Sequence, residues 1–123
     1  MIKSIATPLL FVITAAVARA EPVAVSAVDI RALLSGNSAI GTWSGTPYKQ
    51  YFSETGLTIY AADGSSPSRG KWRVNEQTNR YESWWEQTGW SEYGVLREGD
   101  AYFWTARGID PQPFRVVEGD QLK

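Results

Sequence analysis

The chain has 123 residues, with 12 basic and 13 acidic side chains for a net charge of −1, and contains neither cysteine nor histidine. That composition excludes disulfides, thiol redox chemistry, Cys- or His-ligated metal centres and every catalytic triad that needs histidine, and it implies no cofactor. No basic cluster exceeds Arg69, Lys71 and Arg73, so nothing concentrates positive charge as a nucleic-acid backbone requires.

The first twenty residues carry a signal for export. Met1-Ile2-Lys3-Ser4 places one lysine ahead of an apolar run from Ile5 to Val17, and Ala18-Arg19-Ala20 supplies small residues two apart at a peptidase site. The alternative is a retained anchor, but a spanning helix needs about 20 apolar residues, and this run is shorter. Cleavage after Ala20 leaves Glu21–Lys123, a single-domain length holding all six tryptophans, with 10 basic against 13 acidic residues once Lys3 and Arg19 are gone. No second stretch is long enough to cross a bilayer, so the expected location is the periplasm or the medium, with no integral membrane segment in the mature protein.

One short helix is predicted over residues 26–35. Ser26 can cap it, Asp29 three residues on resembles a capping box, Ile30, Leu33 and Leu34 share a face, and Gly36 can end it in the left-handed conformation. From residue 40 to 118 the pattern changes to short runs split by turns. Eight strands are predicted: Ile40–Ser44, Tyr48–Glu54, Leu57–Ala62, Arg69–Asn75, Arg80–Glu86, Trp90–Arg97, Ala101–Arg107 and Pro113–Glu118. Every connection is short, so sequence neighbours should pair antiparallel. The fold class expected is therefore mainly β: a small up-and-down barrel or curled meander of about eight strands, with the helix plugging one end. Closure removes two edges that would otherwise invite aggregation; a two-sheet sandwich is the alternative.

Alternation sorts the faces. Trp72 and Val74 oppose Lys71 and Arg73, and Phe114 and Val116 oppose Arg115. The fifth strand sets Tyr81 and Trp85 against Glu82, Trp84 and Glu86, and the seventh sets Tyr102 and Trp104 against Phe103. Both strands carry more aromatic surface than a one-sided core requires. The residues expected to line a ligand site at the barrel mouth are Tyr51, Tyr60, Trp84, Tyr93 and Phe103, a set that a one-residue slip of register would invert.

Gly41-Thr42-Trp43, following the helix and opening the first strand, resembles the G-x-W signature of lipocalins, in which the tryptophan closes the end of the barrel. A second resemblance spans residues 28–75. The run from Leu34 to Gly41, Tyr51 with Gly56 in a hairpin, and Gly70-Lys71-Trp72-Arg73-Val74 look like a family of small periplasmic proteins of unknown function from Gram-negative bacteria. That resemblance implies an envelope location and a lipocalin-like β fold, with Gly41, Trp43 and Trp72 as structural motif residues. It brings no catalytic residues. The family often carries a cysteine pair in its later strands, and this chain has none.

Three functional readings follow. The first is a non-enzymatic binding or interaction module of lipocalin-like shape, taking a small apolar or aromatic molecule or a saccharide. The second is an envelope structural or inhibitor protein that acts on an envelope partner through its surface. The third is a carboxylate-based hydrolase of cell-wall sugars built on Glu82, Glu86 and Glu92. Glu82 and Glu86 stand four residues apart on a strand, about 13 Å along the backbone, whereas paired catalytic carboxyls lie about 5–9.5 Å apart; a solvated outer face whose charges discourage edge pairing accounts for them better. Ser44, Ser53, Ser83 and Ser91 have no histidine to activate them.

Overall fold

The computed structural model describes residues 21–123; the signal-peptide expectation falls on residues 1–20, outside the described residues. Nine strands and one helix follow in the order β1 (Val23–Ala24), α1 (Ala27–Leu34), β2 (Asn37–Trp43), β3 (Thr46–Phe52), β4 (Leu57–Ala62), β5 (Ser68–Asn75), β6 (Arg80–Trp85), β7 (Gly89–Glu98), β8 (Ala101–Ala106) and β9 (Ile109–Glu118). Strands β2 to β8 pair each with the next, β8 pairs with β9, and β9 returns to β2 through Ala39↔Val116 and its neighbours. All pairings are antiparallel, and the ring closes into an eight-stranded barrel; the sandwich alternative falls. Strand β1 lies outside the ring, docked on β7 through Val23↔Arg97 and Ala24↔Leu96.

All eight ring strands lie where the punctuation of the sequence predicts them, and several are longer. β2 begins at Asn37, three residues before the predicted start, because the helix ends abruptly. Gly36 takes φ +77° and turns the chain straight into the sheet, its amide donating to the Phe52 carbonyl at 2.7 Å. β3 absorbs Thr46 and Pro47, assigned to a turn from sequence, because Ser44 and Gly45 alone make the connection. Both have positive φ, and Trp43 pairs with Thr46, the pattern of a two-residue I′ hairpin. β1 has no counterpart in the sequence reading, since two residues carry no periodicity.

The helix closes one end of the barrel. Ser26 Oγ accepts from the Asp29 amide at 3.3 Å, and the Ala27 amide donates to Asn79 Oδ1 at 3.0 Å in the β5–β6 turn. Its inner face, Ala27, Ile30 and Leu34, is fully buried. It covers a core of Phe52, Trp72, Val74, Tyr81, Val95, Trp104 and Phe114. Phe52 meets Trp72 and Tyr81 edge-on at centroid distances of 5.6 and 5.7 Å, and Trp104 stacks on Phe114 at 4.3 Å. The Trp72 indole donates to the Ser53 carbonyl at 2.9 Å, so its polar edge is satisfied inside the core.

Two glycines in the wall are required by close approach. A Cβ on Gly41 would lie 2.5 Å from the Pro113 carbonyl oxygen of β9, so this glycine lets β2 and β9 close the ring. A Cβ on Gly70 would collide with the Trp84 carbonyl and lie 2.7 Å from Cε3 of Trp85, so this one makes room for an indole laid against β5.

Candidate functional site

At the end opposite the helix the interior is not filled. A cavity of about 320 Å³ opens there, within the size range of small-molecule sites. Its walls are aromatic. Trp43 of β2 and Tyr93 of β7 meet at 5.7 Å with rings at 88°, and Tyr60 of β4 and Trp85 of β6 meet at 6.1 Å with rings at 72°. Tyr48 stacks on Tyr60 at 5.1 Å, and Tyr81 and Trp104 form the floor where the cavity meets the core. Ser68, Gln87 and Thr88 stand at the rim.

The floor carries a short polar network. Gln50 Nε2 donates to Thr58 Oγ1 at 3.0 Å and to the Tyr81 hydroxyl at 3.2 Å. Trp85 Nε1 donates to Ser83 Oγ at 3.1 Å, and Trp104 Nε1 to the Tyr48 hydroxyl at 2.8 Å. The indole N–H groups of Trp85 and Trp104 are therefore spent on the protein. No ionised side chain lines the cavity among the described residues.

Burial governs the phenols. It pushes the Tyr48 hydroxyl up from 10.0 to about 12, the bond from Trp104 partly opposing it. Burial raises Tyr60, and raises fully buried Tyr81 furthest, the bonds to Ser83 and Gln50 opposing it in part. The sign is that of an acid whose folded form holds its proton more tightly than the unfolded chain. The associated stability is complete below pH 10 and is lost as pH rises toward 12. The urea midpoint is expected to stay level through neutral pH and to fall steeply between pH 10 and 12. A midpoint unchanged across that window would show that these hydroxyls are not shielded from water.

Of the five residues expected from sequence to line a ligand site, Tyr60 and Tyr93 line the cavity. The other three stand on the outer wall. Tyr51 alternates with buried Gln50 and Phe52, and Phe103 precedes buried Trp104. Trp84 follows buried Ser83 and lies under the Lys71 ammonium, 5.0 Å from its ring centroid. The lining residues Trp43, Tyr48, Trp85 and Trp104 are not in the expected set, and Trp85 and Trp104 lie on the strand faces opposite the expected ligand residues Trp84 and Phe103. Alternation already separated Trp85 from Trp84, so parity was the signal that could have found them. Trp43 departs from the lipocalin pattern as well: its strand runs away from the helix, so the G-x-W tryptophan stands at the open mouth and not at the plugged end.

The acidic set does not enter the cavity. Glu82 lies on the outer wall, accepting from Arg73 Nε at 2.7 Å, and faces Glu92 across the β6–β7 pair, while Glu86 is exposed beyond the end of β6. The basic trio Arg69, Lys71 and Arg73 forms the matching outer face of β5, with Arg73 also covering the Trp90 ring at 3.7 Å.

The fold and cavity together define a closed antiparallel eight-stranded barrel, helix-plugged at one end and open to a neutral aromatic cavity at the other. The chain matches no family model, no curated protein and no solved structure.

Proposed function

We infer that this protein is an exported, non-enzymatic binding module that holds one small ligand in the mouth of its barrel. The observation that carries this reading is the contrast between the two halves of one interior. An eight-stranded barrel is just wide enough for side chains to fill it or for one small ligand to occupy it. Here the helix-side half is packed with Phe52, Trp72 and Phe114, and the other half leaves about 320 Å³ among aromatic walls. Walls without partner atoms forfeit dispersion contacts, a loss that a bound molecule would recover. The sequence from Met1 to Ala20 supports export.

The test uses protein purified from its own periplasm. N-terminal sequencing is expected to begin at Glu21, and an intact Met1 would overturn the export reading. Native mass spectrometry is expected to show a bound small molecule that is lost in Ser68→Trp, a substitution at an exposed rim position that fills the mouth without touching the core. A bare mass for the natural protein, with no titration response to apolar, aromatic or saccharide compounds, would sink the binding reading. It would favour the second one, action through the surface, for which the partly exposed Trp90 is the supporting feature.

A further inference from the structure

The chemistry of the cavity wall narrows its occupant. We propose that the ligand is a neutral, flat ring compound bearing hydrogen-bond acceptors, held between the Tyr60–Trp85 pair and the Trp43–Tyr93 pair. This inference rests on the binding reading above and deepens it. Three observations carry it.

The first is charge. No ionised side chain lines the cavity among the described residues. The basic groups on β5 belong to its outer face: Arg69 is exposed on the far side of the strand from the lining Ser68, Lys71 lies over Trp84, and Arg73 is committed to Glu82 and Trp90. A charged ligand would lose its hydration with no counter-charge, at a cost of several kcal/mol.

The second is shape. Each aromatic pair is near-perpendicular and spans different strands, β4 with β6 and β2 with β7. The wall therefore offers aromatic rings in more than one orientation around the cavity. Offset-stacked and edge-to-face contacts reward a flat π-system beyond its buried area by about 0.5–1.5 kcal/mol per pair. A saturated chain earns only the area.

The third is hydrogen-bond polarity. The Tyr48 hydroxyl accepts from Trp104, which leaves its proton free to donate, and the hydroxyls of Tyr60 and Tyr93 bond no protein group among the described residues. These hydroxyls can also accept, as can the carbonyls of Gln50, whose amide nitrogen is already engaged with Thr58 and Tyr81, and of Gln87 at the rim, so the wall offers a short set of polar partners. A saccharide brings a hydroxyl on nearly every ring carbon, more than these few partners can pair, and each polar group left unpaired on burial costs about 1–3 kcal/mol. A carbonyl or ether oxygen on a flat ring meets the phenols directly.

Isothermal titration calorimetry of the purified protein with four probes tests this: acetylnaphthalene, its charged isostere naphthoate, N-acetylglucosamine and decanol. Acetylnaphthalene is expected to bind one-to-one and at least about tenfold more tightly than naphthoate, a difference of about 1.4 kcal/mol, with the sugar and the alcohol weaker still. Ser68→Trp is expected to abolish binding. Tyr60→Phe and Tyr93→Phe, which keep the rings and remove only the hydroxyls, are expected to weaken acetylnaphthalene several-fold. Equal or tighter binding of naphthoate, the sugar or the alcohol, blocked by Ser68→Trp, would overturn the ligand class and leave the binding module standing. No heat from any probe would also overturn the ligand class. The binding module then falls only if the protein from its own periplasm carries no adduct.

Discussion

Phe52→Ala is expected to be among the most damaging single substitutions in this protein, costing about 3–5 kcal/mol of stability. Phe52 is fully buried and holds three aromatic partners at once: Trp72, Tyr81 and Trp104, with centroids 5.6, 5.7 and 6.4 Å away. It comes from β3, Trp72 from β5, Tyr81 from β6 and Trp104 from β8, so one ring joins four staves of the barrel. Its own backbone carbonyl receives the Gly36 amide that ends the helix. Truncation would leave a void bounded by indoles and phenols that are themselves hydrogen-bonded and cannot collapse into it. A domain of this size loses roughly 4 °C or more in Tm per kcal/mol, so a fall of at least about 12 °C is expected by differential scanning calorimetry. A loss under about 1 kcal/mol would mean that the core is not organised around this ring.

Gly70→Ala is expected to cost about 3 kcal/mol, the upper end for overpacking, and to disturb the cavity as well. The added methyl would collide with the Trp84 carbonyl oxygen, and backbone in the β5–β6 ladder cannot rotate away as a side chain can. It would also press on the Trp85 ring, 2.7 Å from Cε3 and 2.9 Å from Cζ3, and drive that indole toward the mouth. The expected readout is a lower urea midpoint together with a changed near-ultraviolet tryptophan signal. Gly41→Ala is the control. Its methyl meets Pro113 and Phe114 across the β2–β9 seam, so it is expected to destabilise without changing the Trp85 signal. Full stability in Gly70→Ala would show that β5 and β6 lie farther apart than described.

The helix and the strands were legible in the sequence because their signals are local. Ser26 caps within three residues, Gly36 stops the helix by its own conformational freedom, and Asp63-Gly64 or Glu98-Gly99-Asp100 punctuate runs of alternating residues. Alternation also separated Trp72 from Lys71 and Trp85 from Trp84 without reference to any distant residue. The candidate site was legible only in part. The sequence reading placed a core on one face of the fifth and seventh strands and a ligand site on the other, which suits an open sheet with two usable faces. A closed barrel has one inside, so cavity and core share one parity, and the aromatic surplus of Trp84 and Phe103 goes to the outer wall. Tyr60 and Tyr93 have the inward parity and reach the cavity; Tyr51 does not.

The amino-acid order by itself determined that this protein is built from hairpins, that it works without thiol or imidazole chemistry, and which side chains of each strand share a face. Those properties depend on composition and on contacts a few residues long. Only the tertiary structure decided that β9 returns to β2, that helix α1 plugs the end where Phe52 and Trp72 pack, and that Trp43, Tyr60, Trp85 and Tyr93 converge around an unfilled space at the other. Such outcomes depend on the closure of the ring and on the approach of backbones far apart in sequence, as at Gly41 and Gly70, where the absence of one methyl group sets how closely two strands can lie.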